Sequence, residues 1–196
     1  MWVTVACEGI IDLAVLDRLL AEQDMHIAHS YVTSKQQLDP KLRGYNAAAS
    51  HSPWVVLRDL DQDAPCAPPL IARLLPSPSP LMRFRIAVRA VEAWLLADRQ
   101  GISNALGIAR NKIPAEPERL DDPKRELINL ARQSRQTAIQ QDLVPREGSG
   151  RRVGPGYTGF VIAFVQHRWD PVRASERAPS LARLRRRLAE LAVGLN

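Results

Sequence analysis

The chain has 196 residues, 45% of them hydrophobic, and 27 basic side chains stand against 21 acidic ones for a net charge of +6. A chain of this length buries about 70% of its unfolded surface, so a proper core is expected without help from disulfides or zinc. Cys7 and Cys66 are the only cysteines and lack metal-ligand spacing, the opening residues carry no basic n-region, and no stretch approaches the roughly 20 apolar residues of a membrane span. Neither a disulfide scaffold, a secreted precursor nor a membrane protein is expected, and a cytoplasmic setting is.

Read in chain order, Val3-Thr4-Val5-Ala6-Cys7 is a short apolar run with the character of a buried strand, and Leu13, Leu16, Leu19 and Leu20 recur at helical spacing over 12–23. Met25 to Val32 alternates as a second strand, completing a βαβ unit with a parallel pair. The segment 35–53 contains Pro40, Gly44 and Asn46 and shows little periodicity, so it is expected to be a long loop with a helical turn near 45–50. Trp54 to Leu57 reads as the third strand and 68–75 as a short helix stopped by Pro76, Pro78 and Pro80. Arg83 to Val88 alternates charged and apolar residues, which predicts a fourth strand with one face wetter than the other.

Beyond it, helices are predicted over 91–98, 101–106, 123–133, 157–168 and 180–191, the last with Leu181, Leu184, Leu188 and Leu191 as its buried stripe. The glycine-rich segment 146–159 reads as a loop. The fold class predicted from the element order is a Rossmann-like three-layer α/β domain with a parallel sheet of about four strands, its core spanning about 1–110 and a helical C-terminal extension about 120–196.

Two acidic clusters sit at predicted strand ends: Glu8-Gly9-Ile10-Ile11-Asp12 after the first strand and Asp59-Leu60-Asp61-Gln62-Asp63 after the third. In open parallel sheets the ligand site lies outside the carboxyl ends of the strands, so these side chains converge there. Converging carboxylates repel unless a cation neutralises them, and oxygen ligands suit Mg²⁺ or Mn²⁺. The pattern points to metal-assisted phosphoryl chemistry. Asp12 also suits the positive N-terminal end of the first helix.

The combination of Glu8-Gly9 with Asp12, Asp59-Leu60-Asp61, Glu92-Ala93-Trp94-Leu95-Leu96-Ala97-Asp98, Asp122-Pro123-Lys124 and the stretch Ala178-Pro179-Ser180-Leu181 resembles the TOPRIM-like bacterial family catalogued as domain of unknown function 4276, related to the TOPRIM domains of OLD-type nucleases. Ile11 stands where such families often have Thr, and Arg89-Ala90 precedes Glu92 where a second acid is common. The resemblance implies Glu8, Asp59, Asp61 and Lys124 as catalytic residues. It further implies Glu8, Asp59 and Asp61 as ligands of Mg²⁺ or Mn²⁺, with Asp63, Asp12 and Glu92 in support.

The function so implied is a metal-dependent phosphodiesterase or nuclease on nucleic acid, DNA before RNA, working beside a separate ATPase in defence against phage. A non-catalytic adaptor of the same fold that binds an ATPase or nucleic acid is the first alternative, and a primase-like nucleotidyl transferase the second. The Arg-rich balance and the basic face Arg183, Arg185, Arg186 and Arg187 of the last helix agree with a polyanionic partner.

Overall fold

The computed structural model describes residues 1–194. The chain divides into two compact units, one built from 1–88 together with the segment from 180 onward, the other from 89–179. Among the described residues no helix is long and apolar enough to cross a membrane.

The first unit contains β1 (Trp2–Cys7), α1 (Ile10–Ala21), β2 (His26–Val32), α2 (Lys35–Ala48), β3 (Trp54–Asp59), α3 (Ala67–Leu74) and β4 (Met82–Ala87). Its four strands form an all-parallel sheet of order β2-β1-β3-β4. This is the predicted α/β arrangement, and β1 and β3, which carry the two acidic clusters, are immediate neighbours.

Alternation along the strands gives the sheet two apolar faces. On one, Ala6, Trp54, Val56, Met82, Phe84 and Ile86 form a continuous core with Leu38, Leu42, Tyr45 and Ala49 of the α2 region and with Ala67, Leu70 and Leu75 at α3. The rings of Tyr45 and Trp54 stack at 4.9 Å within it. Val3, Val5, Val55 and Leu57 point the other way and are equally buried. There α1 is joined by the last helix of the chain, Pro179–Val193, which returns to this unit. Arg185 on that helix pairs with Glu22 at the end of α1 (2.9 Å), and Ser180 Oγ accepts from the Val88 N–H (3.3 Å).

The segment 35–53 corrects the expectation of a long loop, because α2 occupies most of it. Pro40 lacks the N–H that would bond one turn back, which normally breaks a helix. Leu38, Leu42, Tyr45 and Ala49 nevertheless recur at spacings of four, three and four and are all buried against the sheet. Burial of this stripe outweighs the single lost hydrogen bond.

The second unit holds α4 (Val91–Ala97), α5 (Arg99–Leu106), two short 3₁₀ turns, α6 (Pro123–Arg132), α7 (Thr137–Leu143), α8 (Tyr157–His167) and α9 (Pro171–Ser175). Every residue of α4 is buried, so it is the central helix around which the others pack. Trp94 lies wholly in this core, and its carbonyl accepts from Trp169 Nε1 at 3.2 Å. Gly107 closes α5 in the left-handed conformation (φ 63°), where a side chain would be strained. Numbered in the same order, the returning helix Pro179–Val193 of the first unit is α10.

Candidate functional site

The strand ends bring Glu8, Asp59, Asp61 and Asp63 into one region of the first unit. Glu8 follows β1 directly, Asp59 ends β3, and the Asp59 N–H donates to Glu8 Oε1 at 3.0 Å across the two neighbouring strands. The loop that follows is tight. Leu60 is buried, its N–H extends the β3–β4 ladder to the Ala87 carbonyl (2.8 Å), and the Asp63 N–H folds back onto the Leu60 carbonyl (3.1 Å). Asp61 sits at the corner of this turn with φ 47°, a left-handed conformation that aspartate tolerates better than most residues.

Two cations that sequence reasoning did not place here organise the acids. Lys35 Nζ, at the start of α2, donates to Asp61 Oδ2 at 2.7 Å and to Asp63 Oδ2 at 3.1 Å. Arg58, 3% exposed, donates from Nε and Nη2 to the two carboxylate oxygens of Asp39 (2.8 and 3.0 Å) and from Nη2 to Asp63 (2.7 Å). Lys35 and Asp39 are one helical turn apart, so α2 delivers a cation and an anion to the same loop. Reading 35–53 as loop hid both; the spacing of Leu38, Leu42 and Tyr45 was the available signal.

The electrostatics follow from this pairing. Burial opposes the Arg58 charge, but its hydrogen bonds to Asp39 and Asp63 hold the guanidinium firmly protonated. Burial likewise works against Asp63, yet the bonds from Arg58 and Lys35 keep its carboxyl below the ordinary range. The hydrogen bond to Asp61 raises Lys35 despite some burial. Burial raises Glu8, the Asp59 N–H and the Arg58 charge partly offset that rise, and the charge of Asp61 adds to it. Cys7, beneath the site, is pushed up to about 12 by burial and by Asp12, so its thiol stays protonated. Asp12 itself is buried in the first turn of α1, its Oδ2 lying close against Gly9.

Glu8 holds its proton more tightly in the folded than in the unfolded chain. Its contribution to stability is therefore complete below the ordinary value of 4.5 and is lost as pH rises through the folded-state value. Glu8→Gln keeps an acceptor for the Asp59 N–H and removes this loss. Its urea midpoint is expected to match wild type near pH 4 and to exceed it at neutral pH; a lower midpoint at neutral pH contradicts the assignment.

The remaining predicted residues lie in the second unit and bind each other. Glu92 is 1% exposed, and its Oε1 receives the Tyr157 hydroxyl at 3.0 Å and Lys124 Nζ at 3.2 Å. Glu92 thus ties α4 to α6 and α8. Asp98, at the other end of the same motif, caps α5 through the Gly101 N–H (3.0 Å), accepts the Asp170 N–H (2.9 Å) and takes the fork of Arg173 at 3.0 and 3.1 Å. Both acids of Glu92-Ala93-Trp94-Leu95-Leu96-Ala97-Asp98 are engaged in holding helices together within their own unit.

Among the described residues no group of three or more His, Cys, Asp and Glu side chains is arranged to hold a metal ion. Asp61 and Asp63 are turned onto Lys35, and Glu8 and Asp59 are the two acids that meet where the neighbouring strands end. Mg²⁺ accepts such a site, since it takes one or two carboxylates and completes its octahedron with water and phosphate oxygens. The chain matches no protein-family model, no curated protein and no solved structure.

Proposed function

We propose that the strand-end site hydrolyses phosphodiesters of nucleic acid with the help of one divalent cation, Mg²⁺ or Mn²⁺, held by Glu8 and Asp59. The observation that carries this reading is the direct contact between the two strand ends, Glu8 Oε1 on the Asp59 N–H at 3.0 Å. A bound divalent ion supplies polarisation of the phosphate oxygens and lowers the pKa of water. Lys35 is paired with Asp61 and Asp63 at the edge of this site and holds the acidic loop in place. Lys124 contributes through Glu92 in the second unit and is not assigned a role at this site. The resemblance to TOPRIM-like proteins adds a separate ATPase to this proposal.

The test is cleavage of plasmid and single-stranded DNA in Mn²⁺ by wild type, Glu8→Ala and Asp59→Ala, purified side by side. Both variants are expected to lose roughly a hundredfold or more of the rate. Equal cleavage by all three proteins would mark the activity as a contaminant and overturn the reading.

A second reading has its own observation: Lys35 bridges Asp61 and Asp63, so the acidic loop already possesses a cation. On this account the domain is a non-catalytic adaptor. Calorimetric titration with Mn²⁺ separates the two, because the adaptor takes up no ion at millimolar concentration, whereas the hydrolase binds one and loses it in Asp59→Ala.

A further inference from the structure

Arg83 and Arg85 alternate along β4 with Met82, Phe84 and Ile86, whose side chains lie in the core shared with α2 and α3. The two guanidiniums therefore leave the sheet on the opposite side, where α10 lies alongside β4. Arg83 is anchored there. Its Nε donates to the Arg187 carbonyl at 3.1 Å and its Nη1 to the carbonyls of Pro80 and Met82 at 2.6 and 3.1 Å. Arg187 in turn pairs with Glu190 at 2.6 Å on the α10 surface.

Arg85 is held differently. Its Nε is buried without a hydrogen-bond partner, and its guanidinium has no ion pair among the described residues. Burial lowers Arg85 to about 10, and the charges of Arg187, Arg83 and Arg183 add to the effect, while Glu190 is the one acid opposing them. Arg83 is lowered as well, by burial and by Arg187. A half-buried guanidinium repelled by the charges of three other arginines costs the fold stability, and an apolar residue at position 85 would avoid that cost. Arginine presents a planar fork matched to the oxygens of a phosphate group.

We propose that Arg85, with Arg183 and Arg187 of α10 beside it, forms an oxyanion site that binds a phosphate group, either free or as a phosphodiester of a nucleic-acid strand. The site lies on the β4 face beneath α10 and does not depend on the chemistry assigned to Glu8 and Asp59. Binding supplies acceptor oxygens to the Arg85 guanidinium and neutralises the arginine cluster, so occupancy stabilises the unit.

The experiment is thermal unfolding of the full chain in phosphate-free buffer, with and without inorganic phosphate at ionic strength matched by chloride. It is paired with fluorescence anisotropy of a labelled single-stranded oligonucleotide. Wild type is expected to gain several degrees of Tm with phosphate, a rise of the size that saturating ligand gives a domain. Arg85→Met is expected to melt higher than wild type without ligand, having lost an unpaired buried charge, and to show no gain with phosphate.

Arg187→Ala, and Arg85→Lys, which keeps the charge but not the fork, are each expected to weaken binding about tenfold. If a nucleic-acid strand is the source, the same variants weaken the oligonucleotide, and the slope of log K against log salt becomes shallower by about one in Arg85→Met. If only inorganic phosphate responds, the site takes a small oxyanion, which also supports the proposal. No phosphate-specific gain in wild type, or the same gain in Arg85→Met, Arg85→Lys and Arg187→Ala, overturns it.

Discussion

Replacing Asp98 by alanine is expected to destabilise the protein by about 3–5 kcal/mol, the cost of removing one partner from a buried charge-paired network. Asp98 is fully buried, and its two oxygens receive the Gly101 N–H, the Asp170 N–H and both arms of the Arg173 fork. Truncation strands two backbone donors, leaves Arg173 only its pairing with Asp170, and removes the cap of α5 and the link from α4 to α9 in one step. The same fault is reachable from the other side. A Cβ on Gly101 would lie 2.2 Å from Asp98 Oδ2, so Gly101→Ala must expel the carboxylate or shift α5. Urea denaturation followed by tryptophan fluorescence reads this unit through Trp94 and Trp169, which lie in its core. A loss below about 1 kcal/mol in Asp98→Ala would show that the network is dispensable.

Arg58→Met is the second large effect. The methionine fills comparable space, so the loss reports the hydrogen bonds to Asp39 and Asp63 and not a cavity. We expect a cost of about 3 kcal/mol, at the low end for a broken buried pair, because the stranded acids keep a quarter or more of their exposure and can be hydrated. The variant also has a pH signature. Asp63 is held below its ordinary value of 3.8 in the fold, so its contribution to stability is present above that pH and is lost as the solution is acidified through the folded-state value. Arg58→Met removes the principal attractive partner, so its stability declines less steeply below pH 4 than that of wild type. A double-mutant cycle with Asp39→Asn isolates the pair, and additivity of the two single changes would refute the coupling.

Asp98 and Glu92 stand in the stretch that supports the resemblance to TOPRIM-like proteins, and a carboxylate in such a stretch invites a reading as a ligand. In the fold each is enclosed by donors of its own unit, Arg173 for one and Lys124 with Tyr157 for the other. Asp61 and Asp63 likewise meet Lys35. Glu8 and Asp59 remain as the pair that joins two parallel strand ends, and the proposed hydrolysis rests on them.

The strands, α1 and the sheet class were legible because they follow from local patterns. Val3-Thr4-Val5-Ala6-Cys7 and Trp54 to Leu57 are apolar runs of strand length, and the leucines of α1 and α10 recur at helical spacing, so burial demands dictate their form. Pro40 misled locally because its penalty is visible in the chain, whereas the compensating burial of Leu38, Leu42 and Tyr45 needs the sheet to be present. The partner of each carboxylate was not legible at all. Lys35 reaches Asp61 across 26 positions of the chain and Tyr157 reaches Glu92 across 65. Periodicity determines which face of an element is buried, but which charge meets which is decided when distant elements pack. The amino-acid pattern by itself determined a parallel α/β sheet with acids at two strand ends; the tertiary structure alone decided that Lys35 and Arg58 neutralise part of that cluster and that the buried Arg85 Nε has no hydrogen-bond partner among the described residues.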